Sequence, residues 1–297
     1  MTEARRVTPD SDERLAWDIA EFASRPGVYA MAAFGDAALP SDVEERRVQF
    51  GDDERQYLVF SMPSEPLVAG FAYLLHGGGW QSGDAGSYRF MARFLAGRGI
   101  PAAVGGYRHA PGSRYPAQLE DSIAGYRAAC ETAVGFGGPM RAGVIGGQSA
   151  GAHLAALAAA DPRVSGDRPP CGVELSGLLL VSGPLDLEVA CGGGMCGLIE
   201  ELMGSARGPI WDEADPVCRI SRQHRFRVLA VHGAHDPLVP VDASRSYVEQ
   251  TNALRPSAAE LVVADSAHHA DLVRMFLGDG CAESETMVAW LRAVLGA

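Results

Sequence analysis

The sequence predicts a doubly wound α/β domain, a mostly parallel sheet of about eight strands with helices on both faces. Three observations predict it. Continuous apolar runs occur at 69–75, 100–104, 142–145, 177–181, 227–231 and 260–263. Runs without alternation suit strands buried on both faces, as parallel strands are. Helical spacing fills the intervals between them, at 87–97, 116–133, 150–160, 242–252 and 284–295. The 297 residues are 47% hydrophobic, enough to bury one large core.

Taken in order, residues 11–24 place Leu15, Ile19 and Phe22 on one helical face behind the cap signal Ser11-Asp12. Residues 1–45 read as an N-terminal lid segment, too short for a core of its own, and 46–297 as the main domain. Residues 43–50 and 56–60 read as two early strands about the turn-prone Gly51-Asp52-Asp53. Residues 184–225 lie between two strands and are rich in glycine, which reads as an irregular, lid-like insertion.

Composition excludes several function classes. With 37 acidic against 25 basic residues the net charge is −12, a field that repels nucleic-acid backbones and anionic membranes. Every basic residue is arginine, which excludes Schiff-base and lysine-base chemistry. Met1 to Asp10 carry no apolar signal region, and no stretch of about 18 apolar residues exists, so a soluble cytoplasmic chain is expected. The six cysteines are expected as reduced thiols, with Cys191-Gly-Gly-Gly-Met-Cys196 a flexible loop. No further ligands stand near that pair at metal-binding spacing, so neither metal nor organic cofactor is expected.

The chemistry concentrates at strand ends. Val144-Ile145-Gly146-Gly147-Gln148-Ser149-Ala150-Gly151 runs from a strand through Gly-x-Ser-x-Gly into an alanine-rich helix. That context exposes a strained serine hydroxyl as nucleophile and aims the Ala150 N–H and the helix dipole at developing negative charge. His76-Gly77-Gly78-Gly79-Trp80 follows another buried strand. Its glycines let the Gly78 and Gly79 amides turn toward a substrate carbonyl, and with Ala150 they form the expected oxyanion hole. His76 reads as a brace for this loop, while Trp80 and Gln148 are the candidate substrate contacts. Chains with this elbow order their triad as serine, acid, histidine. Asp236, in His232-Gly-Ala-His-Asp236-Pro-Leu-Val-Pro, is the expected acid, with Asp186 in reserve. Only His268 and His269 follow it, in Asp265-Ser-Ala-His-His-Ala-Asp271, and the pattern leaves the base open between them.

Over most of its length the chain resembles two α/β-hydrolase groups. Tyr107-Arg108-His109-Ala110-Pro111, Tyr115-Pro116-Ala117-Gln118-Leu119-Glu120-Asp121 and Asp236-Pro237-Leu238 resemble the hormone-sensitive-lipase-like carboxylesterases. His76 to Trp80, the elbow through His153, Ser182-Gly183 with Asp186-Leu187, and Phe50-Gly51-Asp52 before Gln56 are similar to the kynurenine formamidases (arylformamidases). The formamidase histidine stands in His-Phe-Asp, so this resemblance implies His269, in His269-Ala270-Asp271, as the base. Gln148 and Ala270 depart from the formamidase pattern. The function implied is a serine hydrolase acting on a small-molecule ester, arylformamide or amide. Acyl transfer or cyclisation on the same residues, and non-catalytic binding, stay open.

Overall fold

The computed structural model describes residues 42–297 apart from Pro139 and Asp279; the helix expected at 11–24 lies outside the described residues. The strands are β1 (Val43–Gln49), β2 (Tyr57–Pro63), β3 (Gly70–Leu75), β4 (Ala102–Gly105), β5 (Ala142–Gln148), β6 (Glu174–Val181), β7 (Arg227–Gly233) and β8 (Ala259–Ala264). They form one sheet in the order β1-β2-β4-β3-β5-β6-β7-β8. Pairing is antiparallel from β1 through β2 to β4 and parallel from β4 to β8. The apolar runs became the central strands for the expected reason. Every residue of β3 is buried, because helices cover both sides of it. On the outer strand β1 the charged Glu44, Glu45, Arg46 and Arg47 guard the free edge.

The helices follow as α1 (Arg89–Ala96), α2 (Ala117–Gly135), α3 (Ala150–Ala160), α4 (Pro162–Ser165), α5 (Leu187–Ala190), α6 (Cys196–Met203), α7 (Pro209–Ala214), α8 (Val241–Leu254) and α9 (Ala282–Leu295). One face of the sheet packs against α2, α3 and α8 through Tyr126, Leu154, Leu157 and Tyr247. The other packs against α1 and α9 through Phe90, Phe94, Met287 and Leu291. Two faces covered by helices make the sheet doubly wound. Among the described residues no helix is long and apolar enough to cross a membrane.

Residues 184–225 depart from the irregular insertion that glycine content suggested. They fold into α5, a π-type turn (Cys191–Met195), α6, α7 and a 3-10 turn (Pro216–Arg219). Leu187, Met195, Ile199, Leu202 and Trp211 of this segment are buried in the core on the α3 side. Burial of that apolar set stabilises helix despite the glycines, each side chain contributing about 1.5–3 kcal/mol. In the same place Cys191 and Cys196, expected in a flexible loop, stand across the π-type turn with their Cα atoms 4.3 Å apart.

Candidate active site

Four strand ends supply the site, and all four point the same way because their strands run parallel. After β5 the chain turns sharply, leaving Ser149 at φ 55°, ψ −122°, a conformation costly for a residue with a side chain. It is held by Ser149 N–H donating to the Val181 carbonyl at 2.8 Å and by the Ser149 carbonyl accepting from Ala152 N–H at 2.9 Å. The elbow needs its last glycine for space. A Cβ on Gly151 would run into the Leu75 carbonyl of the neighbouring strand.

The loop after β7 carries Asp236 and the loop after β8 carries His269. The two loops are zipped together, Ala234 N–H to the Ala264 carbonyl at 3.0 Å and His235 N–H to the Ala267 carbonyl at 3.1 Å. His269 Nδ1–H donates to Asp236 Oδ2 at 2.7 Å, and the Ser149 hydroxyl donates to His269 Nε2 at 2.8 Å. Ser149, Asp236 and His269 are 4%, 9% and 7% exposed, so the chain of bonds is largely withdrawn from water. The other Asp236 oxygen accepts from Leu238 N–H at 3.0 Å and Val239 N–H at 2.9 Å. Burial alone would raise the pKa of this carboxyl, but His269 and His232 more than offset it and hold it well below the carboxylate range.

The two reserve residues lie elsewhere. His268 is exposed and turns back on Asp271, its backbone N–H donating to Asp271 Oδ2 at 2.9 Å and its ring Nδ1 standing 3.3 Å from the same oxygen. Asp271, the acid of the His-Ala-Asp frame, therefore serves the neighbour of the buried histidine. Asp186 caps α5, accepting from Val189 N–H at 3.2 Å and the Ser246 hydroxyl at 2.8 Å. It follows β6, one strand short of the loop that meets His269.

The glycine loop stands opposite. Gly78 has φ 123° and Gly79 φ 59°, values a glycine adopts without penalty. Gly78 O accepts from Gln81 N–H and Ser82 N–H, each at 3.0 Å, which closes the turn. Among the described residues the amides of Gly78 and Gly79 make no backbone hydrogen bond. Ala150 N–H opens the first turn of α3, where helix donors lack intrahelical acceptors. His76 is buried, stacks on Tyr107 with ring centroids 4.3 Å apart and donates from Nδ1 to the Gly77 carbonyl at 2.8 Å. Burial lowers its pKa to about 4, so it braces the loop as a neutral ring. Arg108, forked onto the buried Asp121 at 2.7 and 2.9 Å, fixes the segment that carries Tyr107 and Ala110.

The expectation that Trp80 and Gln148 contact substrate is corrected by their burial. Trp80 is 0% exposed and its indole N–H is taken by His153. Gln148 is 1% exposed, with its carboxamide oxygen in the space a Cβ on Gly77 would fill. Two participants escaped the sequence reading. His232 was read only as part of the acid's motif, and His153 only as part of the elbow. Each is a histidine at 0% exposure, but burial of a single polar residue leaves no periodic signal.

Residues 72–193 match a family model described as the alpha/beta hydrolase fold. Esterase LipC of Mycobacterium tuberculosis is 30% identical over an alignment of 252 residues that covers 78% of this chain and 61% of that protein. A probable isoprenylcysteine alpha-carbonyl methylesterase of Oryza sativa is 26% identical over 249 residues, 76% of this chain and 57% of that protein. The chain thus spans about three fifths of the length of these curated relatives. Among solved structures, esterase B of Lactobacillus rhamnosis superposes with a TM-score of 0.74 at 21% identity, over 96% of this chain and 95% of that one. An esterase from the bacterial hormone-sensitive lipase family gives a TM-score of 0.68 at 20% identity, over 98% and 100% of the two chains. At these identities the solved structures share the fold.

Proposed function

We propose that this chain, an α/β hydrolase by fold, is a serine carboxylesterase that acts through an acyl-enzyme on Ser149. The observation that carries the reading is the unbroken line from Asp236 through His269 to Ser149, with bonds of 2.7 and 2.8 Å. In that line the Ser149 proton has one acceptor, His269 Nε2. Proton transfer as Ser149 Oγ attacks an acyl carbon makes His269 an imidazolium, and the buried Asp236 carboxylate stabilises it. The oxyanion then meets the N–H groups of Gly78, Gly79 and Ala150, each worth about 3 kcal/mol of barrier where such donors have been removed. His269 next returns the proton to the leaving oxygen. Water, deprotonated by the same imidazole, releases the acid. No step calls on a group from outside the chain other than water and substrate.

The proposed substrate is a small carboxylic ester, in line with the esterase names of the relatives. Arylformamides are the competing class, because the His76 to Trp80 segment also resembles the formamidase motif. Ser149→Ala is expected to abolish both turnover of short p-nitrophenyl esters and fluorophosphonate labelling, with the circular dichroism unchanged. Retained labelling would overturn the reading. Comparing kcat/KM for those esters with values for N-formylanilines then assigns the substrate class.

A further inference from the structure

His153 lies one helical turn beyond Ser149 on α3, its N–H donating to the Ser149 carbonyl at 3.2 Å. Its ring is 0% exposed and joins two other parts of the molecule. On one side His153 Nδ1 accepts from the indole Nε1–H of Trp80 at 3.3 Å, with the two rings edge to face at 5.1 Å. On the other, His153 Nε2–H donates to the carbonyl of Ala214 at 2.8 Å. Ala214 ends α7, in the segment that follows β6, and is itself fully buried.

The tautomer follows from the partners. A backbone carbonyl only accepts and an indole N–H only donates, so Nε2 must carry the proton and Nδ1 must not. Burial lowers the pKa of this ring to about 4, consistent with a neutral imidazole. Phenylalanine would fill the space but answer neither partner.

What the ring holds is the middle of the glycine loop. Trp80 has φ 62°, a left-handed conformation that a bulky residue adopts only under constraint. It directly follows Gly79, so a change at Trp80 φ turns the Gly79–Trp80 peptide and is passed back through Gly79, which offers little resistance, to the amides before it. Its backbone is tied by the Ala110 N–H donating to the Trp80 carbonyl at 2.9 Å, and its side chain by His153. We propose that His153 is a positioning residue for the oxyanion loop, locking Trp80 against α3 and α7 so that the Gly78 and Gly79 amides keep their aim. This rests on the reading of those amides as oxyanion donors.

The test uses the full chain, with active sites counted by fluorophosphonate titration so that misfolded protein does not depress kcat. His153→Phe is expected to lower kcat on p-nitrophenyl butyrate about ten- to a hundredfold with KM within about threefold, because the loss falls on transition-state contacts. Affinity for an alkylboronic acid, which forms a tetrahedral adduct on the serine, should fall by the same factor. His153→Gln, able to accept at one end of its amide and donate at the other, should recover much of the loss. Trp80→Phe removes the donor from the opposite end and stays informative if His153→Phe does not fold. The double variant should be no worse than His153→Phe alone, since that change has already deleted the bond that Trp80→Phe removes. The proposal is overturned by wild-type kcat in His153→Phe, by a loss confined to KM with boronate affinity intact, or by single losses that multiply. Absence of any labelling at Ser149 in the wild type would instead remove the esterase reading, and this proposal with it.

Discussion

Asp236 Oδ2 is met by a second imidazole, His232 Nε2, at 3.3 Å, inside a region where neither side chain is exposed. His232 Nε2 also reaches the Val239 carbonyl at 2.9 Å, and its Nδ1 pairs with the Ser244 hydroxyl at 2.7 Å. The ring is thereby fixed at both nitrogens. It backs the same carboxylate oxygen that His269 uses.

On the proposed mechanism, His232→Ala should lower kcat/KM by about 10- to 100-fold, the cost of losing a hydrogen bond to a charged acceptor. His232 is among the groups that depress the Asp236 pKa, so its removal lets burial push that pKa upward. His232→Gln, which keeps a donor toward Asp236, should recover part of the loss, and an unchanged kcat/KM in His232→Ala would show that His232 only packs.

The two adjacent histidines should separate cleanly. His269→Ala is expected to cost on the order of 10⁶ in kcat, as loss of the base does in related hydrolases. His268→Ala removes an exposed ring paired with Asp271 and should change kcat by less than about twofold. Steady-state rates on one ester for both variants suffice to check this.

Stability should fall on acidification well above the carboxylate range. His76 and His153 have folded pKa values lowered to about 4 by burial, from 6.5. Below pH 6.5 the unfolded chain takes up protons that the folded chain refuses, so stability present at neutral pH is lost toward pH 4. The slope for two such groups is up to about 2.7 kcal/mol per pH unit. Urea midpoints between pH 7.5 and 4.5 measure it.

Asp215 has the opposite sign. Burial raises its pKa to about 6, with Asp186 adding to the rise, while the Leu187 and Val217 amides it caps act against it. Stability is thus lost as pH rises from about 4 to 6, when the folded carboxyl must ionise. Asp215→Asn keeps an acceptor for Leu187 N–H and Val217 N–H. It should raise stability at pH 8 by about 1 kcal/mol, after allowance for solvent screening of a partly exposed group. At pH 4 the gain should vanish, which thermal melts at the two pH values would reveal.

Much of the fold was legible because its signals are local. The fully buried runs became β3 to β7, and the alternation of strand and helix fixed their direction. Helix ends moved by one or two residues, as at α2, expected over 116–133 and found at Ala117–Gly135. Residues 184–225 were misread because three consecutive glycines outweighed a scattered apolar set whose value lies in what it packs against.

By itself the sequence determined the Ser149 elbow and the glycine loop, since a backbone turn that only certain residues tolerate is written into neighbouring positions. It also determined that an acid and a histidine follow in order. Asp236 was the expected acid and the resemblance implied His269, but residue pattern left two histidines open, and only the tertiary structure brings one of them between Asp236 and Ser149. His268 and His269 differ by one step along a loop, and that step turns one ring to solvent and the other onto Asp236. Pairing of the β7 and β8 loops made the choice, through contacts between residues some thirty positions apart that no local pattern encodes.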